Sequence, residues 1–190
     1  MKILITGIPR SGSSFLTRAP FYSLGKDPEK WIENKNIDLH FEEPALYSKE
    51  AEDIDGSDRV FNLIINHNLK FSKDFVIIRH HQLLFREDIM EKFEKIIICE
   101  RQYDSWIESA KNHEHLSNRI KIRYNRDYKK YYDLFSEKIE TLKNQKVNDN
   151  KYIFVNFESI ESSKNFFYSF IDKAKVDETF KNLWTGSRWK

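Results

Sequence analysis

Short apolar runs rich in β-branched and aromatic residues alternate along the chain with longer segments of helical character. Continuous runs of this kind are typical of strands that are buried on both faces of a parallel sheet. The clearest runs lie at residues 2–6, 75–78, 96–99 and 151–157. Residues 60–65 are also apolar, and periodicity does not distinguish a strand from a short buried helix there. The pattern predicts an α/β fold with a mostly parallel sheet of about four or five strands flanked by helices.

The polar and apolar positions predict helices over residues 83–93, 111–146 and 164–174. The segment 111–146 interleaves basic residues with tyrosines. This fits an amphipathic helix whose aromatic residues pack on the sheet while its lysines face water. A basic rim for an anionic acceptor is the main alternative, and a nucleic-acid surface is the weaker one.

Composition indicates one compact domain over residues 1–190, because 33% of the residues are charged, 15% are aromatic, and glycine and proline are scarce. The net charge of +2 does not suggest a nucleic-acid partner. The single cysteine, Cys99, excludes an internal disulfide framework and favours a reducing compartment. Neither a signal peptide nor a membrane-spanning run is recognised, so we expect a cytoplasmic protein without a membrane partner. The sequence does not indicate an oligomeric state.

The first apolar run is followed by Gly7-Ile8-Pro9-Arg10-Ser11-Gly12-Ser13-Ser14, which predicts a tight loop and then a helix start. Such a loop points backbone N–H groups inward and the helix dipole adds partial positive charge, so the segment predicts an anion site. The spacing is close to that of a Walker A loop, but Ser13 stands where that motif has its lysine, and the positive charge lies at Arg10. Transfer of a γ-phosphoryl group is therefore disfavoured, and a diphosphate-like or phosphosulfate group fits better.

The segment from Pro9 to Leu16 resembles the 5′-phosphosulfate loop of the sulfotransferases that use 3′-phosphoadenosine 5′-phosphosulfate (PAPS). That loop is usually Pro-(Arg/Lys)-Ser-Gly-Thr-Thr followed by an aromatic residue or leucine; the alternative is a tight turn of any α/β protein. The resemblance implies a P-loop NTPase-like three-layer sandwich, with PAPS as co-substrate, 3′,5′-adenosine bisphosphate as product and no metal. The residues that it assigns to the 5′ end and the adenine of the donor are Arg10, Ser11, Gly12, Ser13, Ser14 and Phe15.

A second match follows the apolar run at residues 96–99. Sulfotransferases have an arginine after a strand and a serine eight positions later on the next helix, and Arg101 and Ser109 have that spacing. An arginine offers a planar fork of donors to a phosphate, and a serine two helical turns further lies on the same face. The resemblance assigns this pair to the 3′-phosphate of PAPS. The family motif often has a proline where this chain has Tyr103, and an ion pair between Arg101 and Asp104 is the alternative.

The resemblance also implies a general base that accepts the proton of the acceptor hydroxyl as this hydroxyl attacks. In several carbohydrate-modifying members the base is the glutamate of a Glu-Pro pair, which Glu43 matches best. Glu33 lies nearer the usual distance from the loop and is the main rival, and Glu42 is third. Cytosolic members that act on small molecules use a histidine, which leaves His40 and His67 as further candidates.

Basic residues at two other places complete the predicted site. Arg79 follows the run at 75–78, where parallel strands place ligands, and the resemblance assigns it to the transferring sulfuryl group. The two histidines after it have no further metal-type ligands near them in sequence, so a metal site is disfavoured. Near the end of the sequence, Gly186 and Arg188 match a glycine-containing basic loop that closes over the 3′-phosphate and adenine in the family.

Together these patterns predict a sulfotransferase that moves a sulfuryl group from PAPS to a hydroxyl or amine of a small-molecule or glycan acceptor. Glu43 or Glu33 acts as the base, while Arg10 and Arg79 stabilise charge on the sulfuryl oxygens. The alternatives are a P-loop kinase that acts on a small molecule, and a non-catalytic protein that binds nucleotides or polyanions. The acceptor is not identified, because the loops that would select it carry no recognisable motif.

Overall fold

The computed structural model describes residues 2–25 and 76–184, apart from the side chains of residues 76 and 78. Within these two stretches the chain forms the parallel strands β1 (Lys2–Gly7), β2 (Val76–Arg79), β3 (Lys95–Glu100) and β4 (Tyr152–Asn156). The α-helices there are α1 (Ser13–Ser23), α2 (Glu87–Met90), α3 (Tyr103–Lys111), α4 (Glu114–Arg123), α5 (Tyr128–Lys146), α6 (Lys164–Phe167) and α7 (Lys173–Leu183). The same stretches contain 3-10 helices at His81–Phe85 and Phe157–Ser163.

The described strands form one sheet in the order β2-β1-β3-β4, with every neighbouring pair parallel. Each strand coincides with one of the apolar runs, and the predicted α/β class is confirmed. Ile5 of β1 is paired in register with Arg79 of β2 on one side and with Ile97 of β3 on the other. β2 lies on one side of β1 and β3 on the other, and in parallel α/β sheets such a reversal of strand order predicts a ligand crevice at the carboxyl ends, here of β1 and β3. The apolar segment 60–65 lies outside the described residues.

Alternate residues of the central strands belong to two separate cores, one on each face of the sheet. Leu4 and Ile96 pack in a cluster with buried residues of α3, α4 and α5. Ile5 and Ile97 pack in a second cluster with buried residues of α1 and α7. All four side chains are 0% exposed. Strand residues alternate between the faces of a sheet, so both faces of this one must be covered by helices.

Two of the predicted helices are wrong. Residues 83–93 form the end of a 3-10 helix and then the four-residue α2, and the two meet at Arg86, which has non-helical backbone angles (φ −122°, ψ 73°). Residues 164–174 are divided because Asp172 begins a new helix. Its side chain accepts a hydrogen bond from the Lys175 N–H (3.2 Å), and this N-cap favours the start of α7 over continuation of α6.

The basic stretch 111–146 is helical as predicted but folds as separate helices. The turn between α4 and α5 has positive φ angles at Asn125 (49°) and Arg126 (65°), which interrupt the helical backbone. On α5, Tyr131 and Phe135 are buried in the core, which supports the amphipathic interpretation. None of the helices within the described stretches has the length and apolar character needed to cross a membrane.

Gly7, the last residue of β1, lies where the fold leaves no room for a side chain. Its φ is +115°, and a Cβ there would lie 2.1 Å from the carbonyl oxygen of Cys99. Gly7→Ala should therefore lower the free energy of unfolding by more than about 3 kcal/mol, measured by urea denaturation, because backbone strain and a steric clash add.

Gly25→Ala is the matched control for this substitution. Its φ is also positive (+69°), but a Cβ there would meet no atom of the described residues within 4 Å. Only the backbone preference against this conformation remains, about 1–2 kcal/mol. Equal losses of stability in the two variants would show that the approach of β1 to β3 is not tight.

Candidate anion-binding site

The loop after β1 and the segment after β3 meet at the carboxyl edge of the sheet. The Ile8 N–H donates a hydrogen bond to the carbonyl oxygen of Cys99 (2.9 Å), so the loop begins against the end of β3. Two residues beyond Cys99, the guanidinium of Arg101 donates to the carbonyl oxygen of Arg10 (3.0 Å). The two segments in which the sequence predicts anion-binding residues are therefore in direct contact.

The loop conformation leaves backbone donors available at the start of α1. Gly7, Arg10 and Gly12 have φ angles of 115°, 69° and 83°. Gly12 is the N-cap residue of α1 and has no side chain that could accept from the helix N–H groups. Within the described part of the chain, the N–H groups of residues 12–15 donate no hydrogen bond. These donors and the helix dipole together favour an anion at this point.

Side chains hold two successive carbonyls of the loop. The carbonyl oxygen of Pro9 accepts from the indole N–H of Trp106 (2.8 Å), and the next carbonyl, of Arg10, accepts from Arg101. The C=O of a trans peptide points opposite to the following N–H. Fixing the Pro9 carbonyl toward α3 therefore turns the Arg10 N–H away from α3, and the loop backbone is held in one orientation.

Arg101 is held on several sides. Its guanidinium carbon lies 3.8 Å from the centroid of the Phe157 ring, and its Nε donates to the Ser105 hydroxyl (3.1 Å). Its carbonyl oxygen accepts from the hydroxyl of Tyr132 (2.7 Å). A side chain that is already ordered loses less conformational entropy when it binds a phosphate.

The other predicted binding residues also gather at the start of α1. Ser109 of α3 accepts a hydrogen bond from Nε of Arg10 (3.1 Å), so the loop arginine contacts the serine predicted for the 3′-phosphate. Arg79, the last residue of β2, is 9% exposed and donates to the hydroxyl of Ser14. Side chains from three separate segments thus converge on one helix N-terminus.

Glu158 supports the segment after β3. It accepts hydrogen bonds from the Ser105 hydroxyl (2.5 Å) and from the Gln102 N–H (3.4 Å). Burial lowers the pKa of Arg101, and the negative charge of Glu158 partly opposes this. Among the described residues no ion pair joins Arg101 to Asp104, which was the alternative partner.

His81 contacts the loop at two places, although no motif assigns it a role. Its Nδ1 lies 2.9 Å from the carbonyl oxygen of Gly7, and its Nε2 lies 3.5 Å from the Ser13 hydroxyl. Nδ1 must carry the proton to donate to this carbonyl, which leaves Nε2 as an acceptor for Ser13. Burial, followed by the charge of Arg79, lowers the pKa of His81 to about 3, so the ring is neutral. The sequence signal was a polar histidine pair directly after a strand.

Positive charge is concentrated around this crevice. Burial and the nearby Arg79 lower the pKa of Arg10, and burial also lowers the pKa of Arg101. The charge of Arg119 on α4 adds to burial and Arg79 in lowering the pKa of His81. In the two described stretches, Arg10, Arg101 and Arg119 form no ion pair with a carboxylate. Cations of like charge in partly dry surroundings favour an anion that neutralises them.

Phe15 does not lie at the surface of this site. Its side chain is 1% exposed and packs on Phe180 and Trp184, with ring centroids 4.8 and 5.0 Å away. A ring so buried has almost no surface left for adenine, so Phe15 is a core residue in this structure. No group of three or more His, Cys, Asp or Glu that could hold a metal is found in the described part of the chain. The predicted residues that lie outside that part are Glu33, His40, Glu42, Glu43, His67, Gly186 and Arg188.

Comparisons with models of protein families, with curated proteins and with solved structures find no significant match for this chain. A functional assignment therefore depends on the geometry and charge of the site itself. That geometry is a loop with backbone N–H groups that are unbonded among the described residues, at the carboxyl edge of a parallel sheet, with arginine side chains beside it.

His80 lies next to the site, and its buried imidazole makes the stability of the protein depend on pH. It is 2% exposed, and its Nδ1 accepts from the Gln82 N–H (3.1 Å). Burial, then the charges of His81, Arg119 and Arg79, lower its pKa from 6.5 to about 3. The unfolded chain therefore binds this proton more readily than the folded one. The stability contributed by neutral His80 is present above pH 6.5 and is lost as the pH falls toward 3.

Urea unfolding measured between about pH 4.5 and 6.5 should show this dependence. In His80→Gln, the rise of the free energy of unfolding with pH should be less steep than in the wild type, by up to about 1.4 kcal/mol per pH unit. Carboxylates contribute equally in both proteins, so the difference isolates the histidine. Identical slopes would mean that His80 titrates normally in the folded protein.

Proposed function

We propose that this chain is a sulfotransferase that moves a sulfuryl group from PAPS to a hydroxyl or amine of a small molecule or glycan. The observation that supports this most strongly is the hydrogen bond from the Arg101 guanidinium to the Arg10 carbonyl (3.0 Å). It puts the loop that resembles a 5′-phosphosulfate site beside the segment that resembles a 3′-phosphate site. PAPS carries both groups on one ribose, so only adjacent anion sites can bind them together.

The polar groups of the crevice suit a donor with two anionic ends. The N–H groups at the start of α1, with Arg10 and Arg79 beside them, lie where the phosphosulfate end would bind. Arg101 and Ser109, which contact Arg10 from the segment after β3, lie where the 3′-phosphate end would bind. Ser13, at the position of the Walker A lysine, is 3% exposed and faces His81. The loop lacks the lysine that contacts the β- and γ-phosphates in Walker A proteins, which favours PAPS over ATP.

In the proposed reaction the acceptor oxygen or nitrogen forms a bond to sulfur while the bond from sulfur to the 5′-phosphate oxygen breaks. The acceptor's proton passes to Glu43 or Glu33, both outside the described residues. Arg10, Arg79 and the loop N–H groups stabilise the negative charge on the sulfuryl oxygens and the leaving phosphate. The product of the donor is 3′,5′-adenosine bisphosphate, and the reaction needs no metal.

The proposal includes a P-loop NTPase-like three-layer sandwich. Three observations support that fold: a parallel sheet, helices packed on both of its faces, and a glycine-bounded loop between β1 and α1. The proposal also includes a cytoplasmic location, which the composition favours. A P-loop kinase and a non-catalytic polyanion-binding protein are the alternatives that the following experiments distinguish.

Thermal shifts induced by ligands test the identity of the donor. 3′,5′-Adenosine bisphosphate should raise the Tm of the protein more than ADP does, because ADP lacks a 3′-phosphate for Arg101. Arg101→Gln should weaken binding of the bisphosphate about tenfold to a hundredfold, since hydrogen bonds to a charged group are lost. Binding of ADP should change by less than about threefold, because ADP does not use this arginine.

Lys146→Gln is the matched control, because it also removes one positive charge. Lys146 pairs with Glu91 (3.4 Å) near the amino ends of β3 and β4, at the opposite edge of the sheet. Both affinities should be unchanged in this variant. A larger shift with ATP and Mg²⁺ than with the bisphosphate would favour the kinase and count against PAPS.

Turnover distinguishes an enzyme from a binding protein. Glu43→Gln and Glu33→Gln should be assayed with PAPS and a panel of hydroxyl and amine acceptors. The variant that lacks the base should lose about 100- to 10,000-fold in kcat, because the acceptor proton has no acceptor in the transition state. Its affinity for the bisphosphate should remain. Full activity in both variants would show that neither glutamate is the general base. An absence of turnover by the wild type would favour the non-catalytic alternative.

A further inference from the structure

We propose that Trp106 of α3 and Tyr132 of α5 are positioning residues that set the spacing between the two anion-binding segments. Each side chain donates one hydrogen bond to a backbone carbonyl, Trp106 in the loop after β1 and Tyr132 in the segment after β3. The inference rests on the proposed function for the identity of the ligand, but not for these two contacts.

Trp106 fixes the loop through its only polar atom. The side chain is 0% exposed, and its indole N–H donates to the carbonyl oxygen of Pro9 (2.8 Å). An indole has one donor and no acceptor, so this N–H would be buried without a partner if the loop turned over. The peptide between Pro9 and Arg10 must therefore keep its carbonyl toward α3 and its N–H directed away from α3.

Tyr132 fixes the second segment in the same way. Its hydroxyl donates to the carbonyl oxygen of Arg101 (2.7 Å). On the other side of the same peptide, the Gln102 N–H donates to the carboxylate of Glu158 (3.4 Å). This peptide is thus held at both its acceptor and its donor, and the backbone of Arg101 is fixed with it.

The two donors belong to one packed aromatic cluster. The rings of Trp106 and Tyr132 have centroids 5.2 Å apart, and Trp106 also stacks on Tyr131, which is 3% exposed (6.2 Å, 12° between planes). Tyr103 packs against Tyr132 at 5.1 Å. Close-packed side chains do not slide continuously past each other. The fixed separation of the two rings therefore fixes the separation of the Pro9 and Arg101 carbonyls.

Packing alone does not account for these side chains. A phenylalanine at either position would bury an aromatic ring in the same cluster without needing a polar partner. The N–H and the hydroxyl are each directed at a carbonyl of one anion-binding segment. Loss of one hydrogen bond should therefore disturb one end of the ligand site, while the aromatic packing and the stability of the chain change less.

The test compares Trp106→Phe and Tyr132→Phe by isothermal titration with two separate probes, inorganic pyrophosphate for the loop and adenosine 3′-monophosphate for the segment after β3. Trp106→Phe should weaken pyrophosphate binding about threefold to tenfold and change binding of the monophosphate by less than about twofold. Tyr132→Phe should show the reverse pattern. Binding of 3′,5′-adenosine bisphosphate should be weakened in both variants.

Tyr128→Phe is the matched control on α5. It removes a hydroxyl bonded to Ser117 (2.7 Å), which belongs to neither anion-binding segment, and it should leave all three affinities unchanged. Incorporation of 3-benzothienylalanine at residue 106 is the second variant. It keeps the two-ring shape, lacks the N–H, and should reproduce the selective loss even if Trp106→Phe lowers the Tm.

Equal weakening of both probes in each variant, or no weakening in either, would overturn the positioning roles. If the wild type binds pyrophosphate and the monophosphate separately, and the variants divide as expected, but the bisphosphate does not bind, the positioning roles stand and the PAPS assignment fails. If the wild type binds none of these anions, both proposals are overturned.

Discussion

The close approach of β1 to β3 at Gly7 is the constraint on which the site depends. Gly7 has a φ of +115° and no Cβ, and the next N–H therefore reaches the carbonyl oxygen of Cys99 (2.9 Å). Any side chain at residue 7 would push the strands apart and move the loop away from Arg101. The hydrogen bond from Arg101 to the Arg10 carbonyl, which joins the two anion-binding segments, is thus a consequence of strand packing beneath it.

The same packing holds like charges close together. Burial lowers the pKa of Arg10 and that of Arg101, which means that the charged form of each side chain is less stable here than in water. The apolar cores on the two faces of the sheet offset this unfavourable term. An anion bound in the crevice would remove the repulsion and so stabilise the folded chain. Ligand affinity and folding stability are therefore linked through these arginines.

Local sequence patterns predicted the strands and the loop correctly, because both are set by residues that are close together in the chain. The spacing of Arg101 and Ser109 was also sufficient to predict that both residues lie beside the loop after β1. Their contacts were not predictable: Ser109 meets Arg10, which is 99 positions away, and Phe15 is buried by residues of α7. The predicted helix boundaries were wrong where a single side chain sets the boundary, as Asp172 does at the start of α7.

The hydrogen bond between Arg10 Nε and the Ser109 hydroxyl (3.1 Å) bears on how a donor with two anionic ends would bind. In this bond the guanidinium donates and the serine oxygen accepts, so the proton of the serine hydroxyl is not used. A phosphate at Arg101 and Ser109 offers the serine hydroxyl an ionised acceptor, and hydrogen bonds to ionised groups are about twice as strong as neutral ones. A serine hydroxyl has one donor and two acceptor sites, so Ser109 can donate to such a phosphate while it still accepts from Arg10. If the proposed donor binds here, Ser109 would contact both Arg10 and the 3′-phosphate, and neither contact would have to be lost for the other to form.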